Sequence, residues 1–326
     1  MPKVSVIIPA YNVMRFLPST VNSVLEQTFK NFELIIIDDG SSDHIVQWSA
    51  ELVDPRIKFI SQENKGAQIA RNVGIENAVG EYIALLDADD LWEPTKLEKQ
   101  VSYLERHSDI GVVYTWTGLI DERGNSLGRV VASQACGNVW EKIIVRDDIL
   151  CSNSVALIRS KCFDAVGYFD PDLEGFQDWD MGIRLAYKYQ FGVVKEVLTF
   201  YRHRSQSMSR SRSMEGTKKT SIEVIEKSFK SVPDGFQHLK RKSYSCVYLS
   251  QGWMQIDQGD AREALRYLRE ALSYHFPILF SEYCTRLVVA ISMVLIFGPG
   301  GYEGLRKLTH NLRLLRLGIN KKVSAQ

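Results

Sequence analysis

The 326-residue chain is long for one domain and short for three, and its 40 Lys and Arg against 39 Asp and Glu leave a formal net charge of +1. That balance excludes a general electrostatic grip on nucleic acid, so any anion site has to be local. The five cysteines are an odd number without Cys-x-x-Cys spacing, which gives neither a disulfide framework nor a zinc site and fits a reducing, cytoplasmic setting.

Met1-Pro2-Lys3 leads at once into the β-branched run Val4 to Ile8, closed by Pro9. This start lacks the charged opening, long apolar stretch and cleavage site of a secretory signal, so export is not expected. Phe16 to Thr28 places Phe16, Val21, Val24 and Leu25 on one helical face, and Phe32 to Ile37 is a second apolar strand ended by Asp38-Asp39-Gly40. The pattern repeats with strand Ile57 to Ile60, helix Ala67 to Ala78, and strand Tyr82 to Leu86 running into Asp87-Ala88-Asp89-Asp90. Alternating strands and helices predict an α/β fold, a mostly parallel Rossmann-like sheet flanked by helices with right-handed crossovers. In such sheets ligands collect beyond the carboxyl ends of the strands. Pro9-Ala10-Tyr11-Asn12, Asp38-Asp39-Gly40-Ser41 and the Asp87 to Asp90 cluster all fall there. Neither standard phosphate-binding glycine loop is present, so phosphate has to be held another way.

Three carboxylates within four residues repel one another unless a cation neutralises them. Oxygen ligands without a nearby His or Cys favour Mg2+ or Mn2+ over zinc. From these residues alone an acidic loop remains the alternative, with Asp89 or Asp90 capping a helix around Pro94 to Leu104. Further on, Trp179 to Tyr189 reads as a helix and Val193 to Phe200 as a strand, followed by Tyr201-Arg202-His203-Arg204 and then Ser205, Ser207 and Ser209. From about Ser213 the strand-like runs stop, which divides the chain into residues 1–212 and a helical extension, 213–326. Within the extension Tyr244 to Tyr274 resembles a single tetratricopeptide-type helical hairpin, Pro277 stops it, and Gly298-Pro299-Gly300-Gly301 is expected to turn the chain. The apolar run Leu287 to Phe297 is about half of the ~20 residues needed to cross a bilayer. It is expected as a buried or interfacial helix, and with Arg286, Arg306 and Lys307 around it a peripheral membrane contact is one reading. The tail after Asn320 is expected to fray.

Taken together and in order, four blocks closely resemble the family 2 glycosyltransferases. They are Val4 to Asn12; Phe32 to Asp43; Asn64-Lys65-Gly66-Ala67 with Ala70-Arg71-Asn72-Val73-Gly74; and Gly80 to Asp90. The resemblance covers roughly residues 3 to 210. It implies the GT-A fold for residues 1–212, a nucleotide-sugar donor with UDP favoured, usually inversion at the anomeric carbon, and Mn2+ or Mg2+ as cofactor. Carried over, it puts Asp39 on the base edge, with Tyr11 and the backbone near Pro9 lining base and ribose. Arg71 and Asn72 would bond base oxygens or phosphate, Asp87 and Asp89 the donor, and Asp89 and Asp90 the metal. Gly167-Tyr168-Phe169-Asp170 and Gly175-Phe176-Gln177-Asp178-Trp179-Asp180-Met181 look like the family's acceptor-side segment, in which Asp178 would be the general base and Asp180 its rival. Gln177 stands where many relatives carry Glu. Arg202 and His203 would reach the leaving diphosphate. The partners implied are a nucleotide sugar and a glycan or lipid-linked acceptor, with no nucleic acid. A nucleotidyltransferase or nucleotide-sugar pyrophosphorylase would need a basic glycine-rich loop where Pro9-Ala10-Tyr11-Asn12 stands. A catalytically silent sugar-binding relative would not need a general base. Donor sugar, acceptor, linkage, metal preference and oligomeric state are not encoded legibly.

Overall fold

The computed structural model describes residues 1–145, 149–204, 213–230, 232 and 234–316, with the backbone alone described at 234, 303 and 305–316. The expectations for Ser205, Ser207, Ser209 and the tail after Asn320 lie outside the described residues. The chain divides into two compact units, Met1–Ser213 with Glu226–Lys230, and Met214–Ile225 with Ser231–Gln326.

In the first unit β1 (Val4–Ala10), α1 (Leu17–Leu25), β2 (Phe32–Asp38), α2 (Ile45–Ser49), β3 (Ile57–Ser61), α3 (Ala67–Glu76) and β4 (Tyr82–Leu85) follow one another as strand and helix. β1 and β2 form as mostly apolar runs buried on both faces, with Val4, Val6, Ile7, Ile8 and Leu34 to Ile37 all inaccessible to solvent, whereas the edge strand β3 is half exposed. β2 pairs with β3 and β1, and β1 with β4, all parallel. Helix α3 lies close on this sheet, because Gly74 has no Cβ; one added there would sit 2.2 Å from Ile7 Cγ2.

The second half of the sheet is mixed. It comprises β5 (Leu91–Trp92), α4 (Lys96–Arg106), β6 (Ile110–Ile120), β7 (Ser126–Val131), α5 (Trp140–Ile143), β8 (Ala156–Arg159), α6 (Lys161–Val166), α7 (Gln177–Lys188) and β9 (Gln190–Arg202). The described strands make one nine-stranded sheet in the order β3-β2-β1-β4-β8-β6-β9-β5, with β7 added to β6. Strand β8 is antiparallel to both β4 and β6, and β6 runs parallel to β9. Among the described strands the β3-β2-β1-β4 half is continuously parallel, so "mostly parallel" describes that half better than the whole. β5 lies between the acidic cluster and the segment around Pro94 to Leu104 expected as a helix. Helix α4 therefore begins at Lys96 with Thr95 as its cap, and neither Asp89 nor Asp90 caps it.

The second unit is helical, with α8 (Met214–Phe229) contributing its first residues, then α9 (Gln237–Asp257), α10 (Ala261–Tyr274) and α11 (Glu282–Arg316). Gly259, at φ 81, turns the chain between α9 and α10, and Asp260 caps α10 by accepting from Glu263 N at 2.9 Å. Leu249, Ile256, Ala264, Leu268, Ala271, Leu287, Ala290, Ile291 and Val294 share one core. The expected four-residue turn at Gly298 to Gly301 is a one-residue break: Gly298 has φ 70 and ψ 172, and helical backbone resumes after it. Residues Glu282–Tyr302 are long and apolar enough to cross a membrane by length and composition, with mean hydropathy 1.6 over the most apolar window. The apolar stretch is longer than the expected Leu287 to Phe297 because the helix extends past Arg286 on one side and Gly298 on the other.

Candidate active site

The carboxyl ends of β1, β2 and β4 carry the polar clusters, and each cluster proves to have an internal division of labour. At β2, Asp38 serves the loop: its Oδ1 accepts from Ser41 N at 3.0 Å and its Oδ2 from Ser61 Oγ at 2.9 Å. Asp39, 3% exposed, organises the Gln62 to Gly66 turn. Its Oδ1 accepts from Gln62 Nε2 (2.7 Å) and Lys65 N (2.9 Å), and its Oδ2 from Gly66 N (2.8 Å). Gly40, at φ 73, is needed there because a Cβ would meet Asn64 N at 2.7 Å. Beside it, Pro9 ends in the sheet opposite Ile37, and Tyr11 stands 53% exposed at the rim.

Helix α3 brings Arg71 to the end of β4. The residue is 5% exposed, and its Nη2 donates to Asp87 Oδ1 at 2.7 Å. Its Nε and Nη1 are buried without a hydrogen-bond partner. The next residue is spent differently. Asn72 donates from Nδ2 to Phe169 O (2.8 Å) and accepts at Oδ1 from Phe169 N (2.9 Å), so its amide clasps the acceptor-side loop rather than standing open for a donor.

The cluster after β4 also splits. Asp90 is fully buried, and its carboxylate is consumed by the protein: Ser154 Oγ donates at 2.6 Å, Ser152 Oγ at 3.3 Å and Arg202 N at 3.0 Å. Burial, with Asp89 and Asp87 beside it, pushes its carboxyl well above the ordinary range. Asp89 is paired with Arg204, whose Nε lies 2.5 Å from Oδ2, and burial raises this carboxyl too, against the opposing pull of Arg204. Asp87 pairs with Arg71 and keeps about a quarter of its side chain exposed. Among the described residues no three His, Cys, Asp or Glu side chains are grouped to hold a metal ion. The carboxylate of Asp90, expected as a ligand, is engaged by partners that arrive from residues 152, 154 and 202, which the motif does not reveal.

Arg202 is likewise structural. It is 4% exposed, and its guanidinium donates to the carbonyls of Asp89 (2.7 Å), Glu122 (3.1 Å) and Asp121 (3.3 Å). His203 N bonds Ile120 O at 2.8 Å, extending the β6–β9 ladder. Arg204, absent from the expected site, pairs with the Asp89 carboxylate, whereas Arg202 meets the cluster through the Asp89 carbonyl and, by its backbone N–H, the Asp90 carboxylate.

Asp178 lies in the first turn of α7, two residues after Phe176, which holds the left-handed backbone region at φ 56 and ψ 29. A non-glycine residue held there is strained, and such strain collects at functional sites. Asp178 Oδ1 accepts from Trp179 N at 2.9 Å. Burial raises its carboxyl, Asp87 adds to that effect and Arg71 opposes it. Asp180, the rival base, is fully engaged: Arg184 takes Oδ2 at 2.8 and 3.0 Å and Lys227 takes Oδ1 at 2.9 Å.

Comparison with known proteins agrees with this geometry. The model of "Glycosyl transferase family 2" matches residues 5–148. An uncharacterized glycosyltransferase of Methanocaldococcus jannaschii is 34% identical over 208 residues, covering 62% of this chain and 71% of that one. The chain belongs to glycosyltransferase family 2. An uncharacterized glycosyltransferase of Rickettsia conorii is 43% identical over 143 residues, 44% of this chain and 24% of that protein, so the chain spans about a quarter of that relative's length. The putative teichuronic acid biosynthesis glycosyltransferase TuaG of Bacillus subtilis is 40% identical over 136 residues, 40% of this chain and 52% of TuaG. Two solved structures share the GT-A fold at 17% identity. One is S. aureus TarS 1-349 in complex with UDP-GlcNAc, with TM-score 0.57 over 84% of this chain and 92% of that one. The other is a mannosyltransferase from Pyrobaculum calidifontis in complex with GDP-Man and Mn2+, with TM-score 0.59 over 91% and 82%. In this family 2 chain Arg71 joins α3 to Asp87 after β4, and Asn72 joins α3 to Phe169 in the loop before α7.

Proposed function

We propose that this chain transfers a sugar from a nucleoside-diphosphate sugar, a UDP-sugar by preference, to a hydroxyl of a glycan, polysaccharide or lipid-linked acceptor, with inversion at the anomeric carbon. The observation that carries the donor reading is Arg71. A buried guanidinium with two N–H groups unpartnered is costly, and an anionic ligand reaching it from the rim relieves that cost. Tyr11 offers a ring face for the base. Asp39 Oδ2 accepts one hydrogen bond and retains a lone pair for an imide N–H.

Two carboxylates close to an open rim suit Mg2+ or Mn2+, which is held by one or two carboxylates plus substrate phosphates, and Asp87 and Asp89 meet that description where Asp90 does not. Such an ion supplies charge neutralisation at the departing diphosphate. Asp178 removes the proton from the acceptor hydroxyl as that oxygen attacks the anomeric carbon. Its raised proton affinity, with Asp180 tied off, favours it over its neighbour. Arg204, at the edge of the cluster, takes the role first expected of Arg202 and His203 beside the diphosphate.

The name of TuaG and the exposed apolar face of α11, with Val289 60% and Ile296 70% exposed, support an acceptor presented at a lipid surface. Absence of sedimentation with anionic vesicles at low salt would remove that part. The donor part is tested by screening nucleotide sugars for turnover with and without Mn2+, in the wild type and in Asp178→Asn. Metal-stimulated turnover of one nucleotide class, lost in the variant, is expected; metal-independent turnover, or an unaffected variant, overturns the mechanism.

A further inference from the structure

Helix α8 follows the catalytic strands in sequence, yet its last turn, Glu226–Lys230, packs as part of the first unit. From that turn Lys227 Nζ reaches Asp170 Oδ2 at 2.7 Å and Asp180 Oδ1 at 2.9 Å. The two carboxylates bracket the loop that leads to Asp178. Asp180 has a side chain only 2% exposed and uses its second oxygen on Arg184. Arg184 in turn donates to the carbonyls of Val166 (2.7 Å) and Tyr168 (3.0 Å) at the start of the same loop. Lys227 holds the Asp170 carboxyl below its usual range. The loop between them is pinned from the other side by Asn72 on Phe169 and by Gln68 on Leu173 O.

We infer that Lys227 is a positioning residue for the general base, acting through Asp180 and Asp170 so that the segment after the catalytic strands completes the acceptor side of the site. This rests on the reading of Asp178 as base. The physical argument is short. Asp178 sits two residues from Asp180 on the same helical turn, and Phe176 before it holds a strained backbone that the surroundings have to enforce. Two carboxylates that share one ammonium repel each other when it is removed, and one of them has nowhere to go. The turn would then relax toward Arg184 alone, moving the base by a fraction of an ångström to an ångström. Displacements of that size cost up to about 100-fold in rate where orientation matters. Among the described residues the ion pairs of Lys227 are with Asp170 and Asp180, neither of which lies on β1, β2 or β4, so the donor half is expected to keep its affinity.

The test uses the full chain and the nucleotide sugar identified by the donor screen, comparing wild type, Lys227→Met, Lys227→Arg and Asp178→Asn. Turnover, the KM for donor, UDP affinity and hydrogen exchange of residues 167–178 are measured. Lys227→Met is expected to lower kcat about 10- to 100-fold with donor KM and UDP affinity unchanged. It should also raise exchange in 167–178 but not in β1 or β2, and Lys227→Arg should restore most of the rate. An unchanged kcat for Lys227→Met while Asp178→Asn is inactive overturns the inference alone. Equal loss of UDP affinity, or exchange raised throughout the unit, also overturns it by making Lys227 a general stabiliser. Wild-type activity in Asp178→Asn overturns the underlying reading instead.

Discussion

Two acidic segments of this protein look alike in sequence, Asp87-Ala88-Asp89-Asp90 at the end of β4 and Asp178-Trp179-Asp180 at the start of α7, and the structure treats them alike in one respect. In each, one carboxylate is buried and consumed by the frame, Asp90 by Ser152, Ser154 and Arg202, and Asp180 by Arg184 and Lys227. The others are left toward the rim. They differ in what does the consuming. Asp90 is held by neutral donors and its carboxyl rises steeply, whereas Asp180 is held by two cations. The number of acids in a motif therefore does not count ligands or bases; the partners of each acid decide which are free.

The largest effect that should separate free from consumed acids is on rate. Asp178→Asn is expected to lower turnover by about 10²- to 10⁴-fold, the usual worth of a general base, with an unchanged thermal midpoint. Asp90→Ala should do the reverse, costing about 1–3 kcal/mol in urea unfolding because Ser152, Ser154 and the Arg202 amide lose a buried acceptor. Asp89→Asn should leave unfolding unchanged while abolishing Mn2+ stimulation. If Asp90→Ala unfolds like wild type and Asp89→Asn does not, the assignment of frame and ligand is inverted.

A smaller effect concerns pH. The free base Asp178 has a raised carboxyl, so the rate falls as pH drops through that raised value, and the acid limb of kcat/KM should lie above the ~3.9 of an ordinary Asp. A limb at or below 4 would place the base elsewhere. Asp54, outside both clusters, is the baseline. It is paired with Arg56 at 2.7 Å near the surface and its carboxyl is depressed to about 2. Because the folded value is lowered, its contribution is present above the unfolded pKa and is lost as pH falls toward 2. Asp54→Asn should cost about 0.2–1 kcal/mol at neutral pH, and nothing in rate.

Much of the donor half was legible in the sequence because it is simple physically. β1, β2 and β4 are largely apolar and buried, each is followed by a polar cluster, and parallel pairing brings those ends together. The other half was not, since β6 carries buried Thr115 and Thr117, with Thr115 hydrogen-bonded to Thr199 at 3.0 Å, and so does not read as an apolar strand. Residue roles divided along the same line. Asp39 and Arg71 have partners 16 to 27 residues away, in or beside the four blocks that carry the resemblance, but Asn72 is claimed by Phe169 and Asp90 by Ser154 and Arg202, partners between 64 and 112 residues away. Lys227 carried no signal at all, because only the folded chain puts it between Asp170 and Asp180.

The central claim is a donor diphosphate site built on Arg71, separate from the base at Asp178, and calorimetric titration of UDP with Mn2+ tests it most directly. Arg71→Met should weaken UDP by about 10- to 100-fold, the worth of hydrogen bonds from a charged donor, while Asp178→Asn binds UDP as the wild type does. Unchanged affinity in Arg71→Met, or an equal loss in Asp178→Asn, would contradict the account.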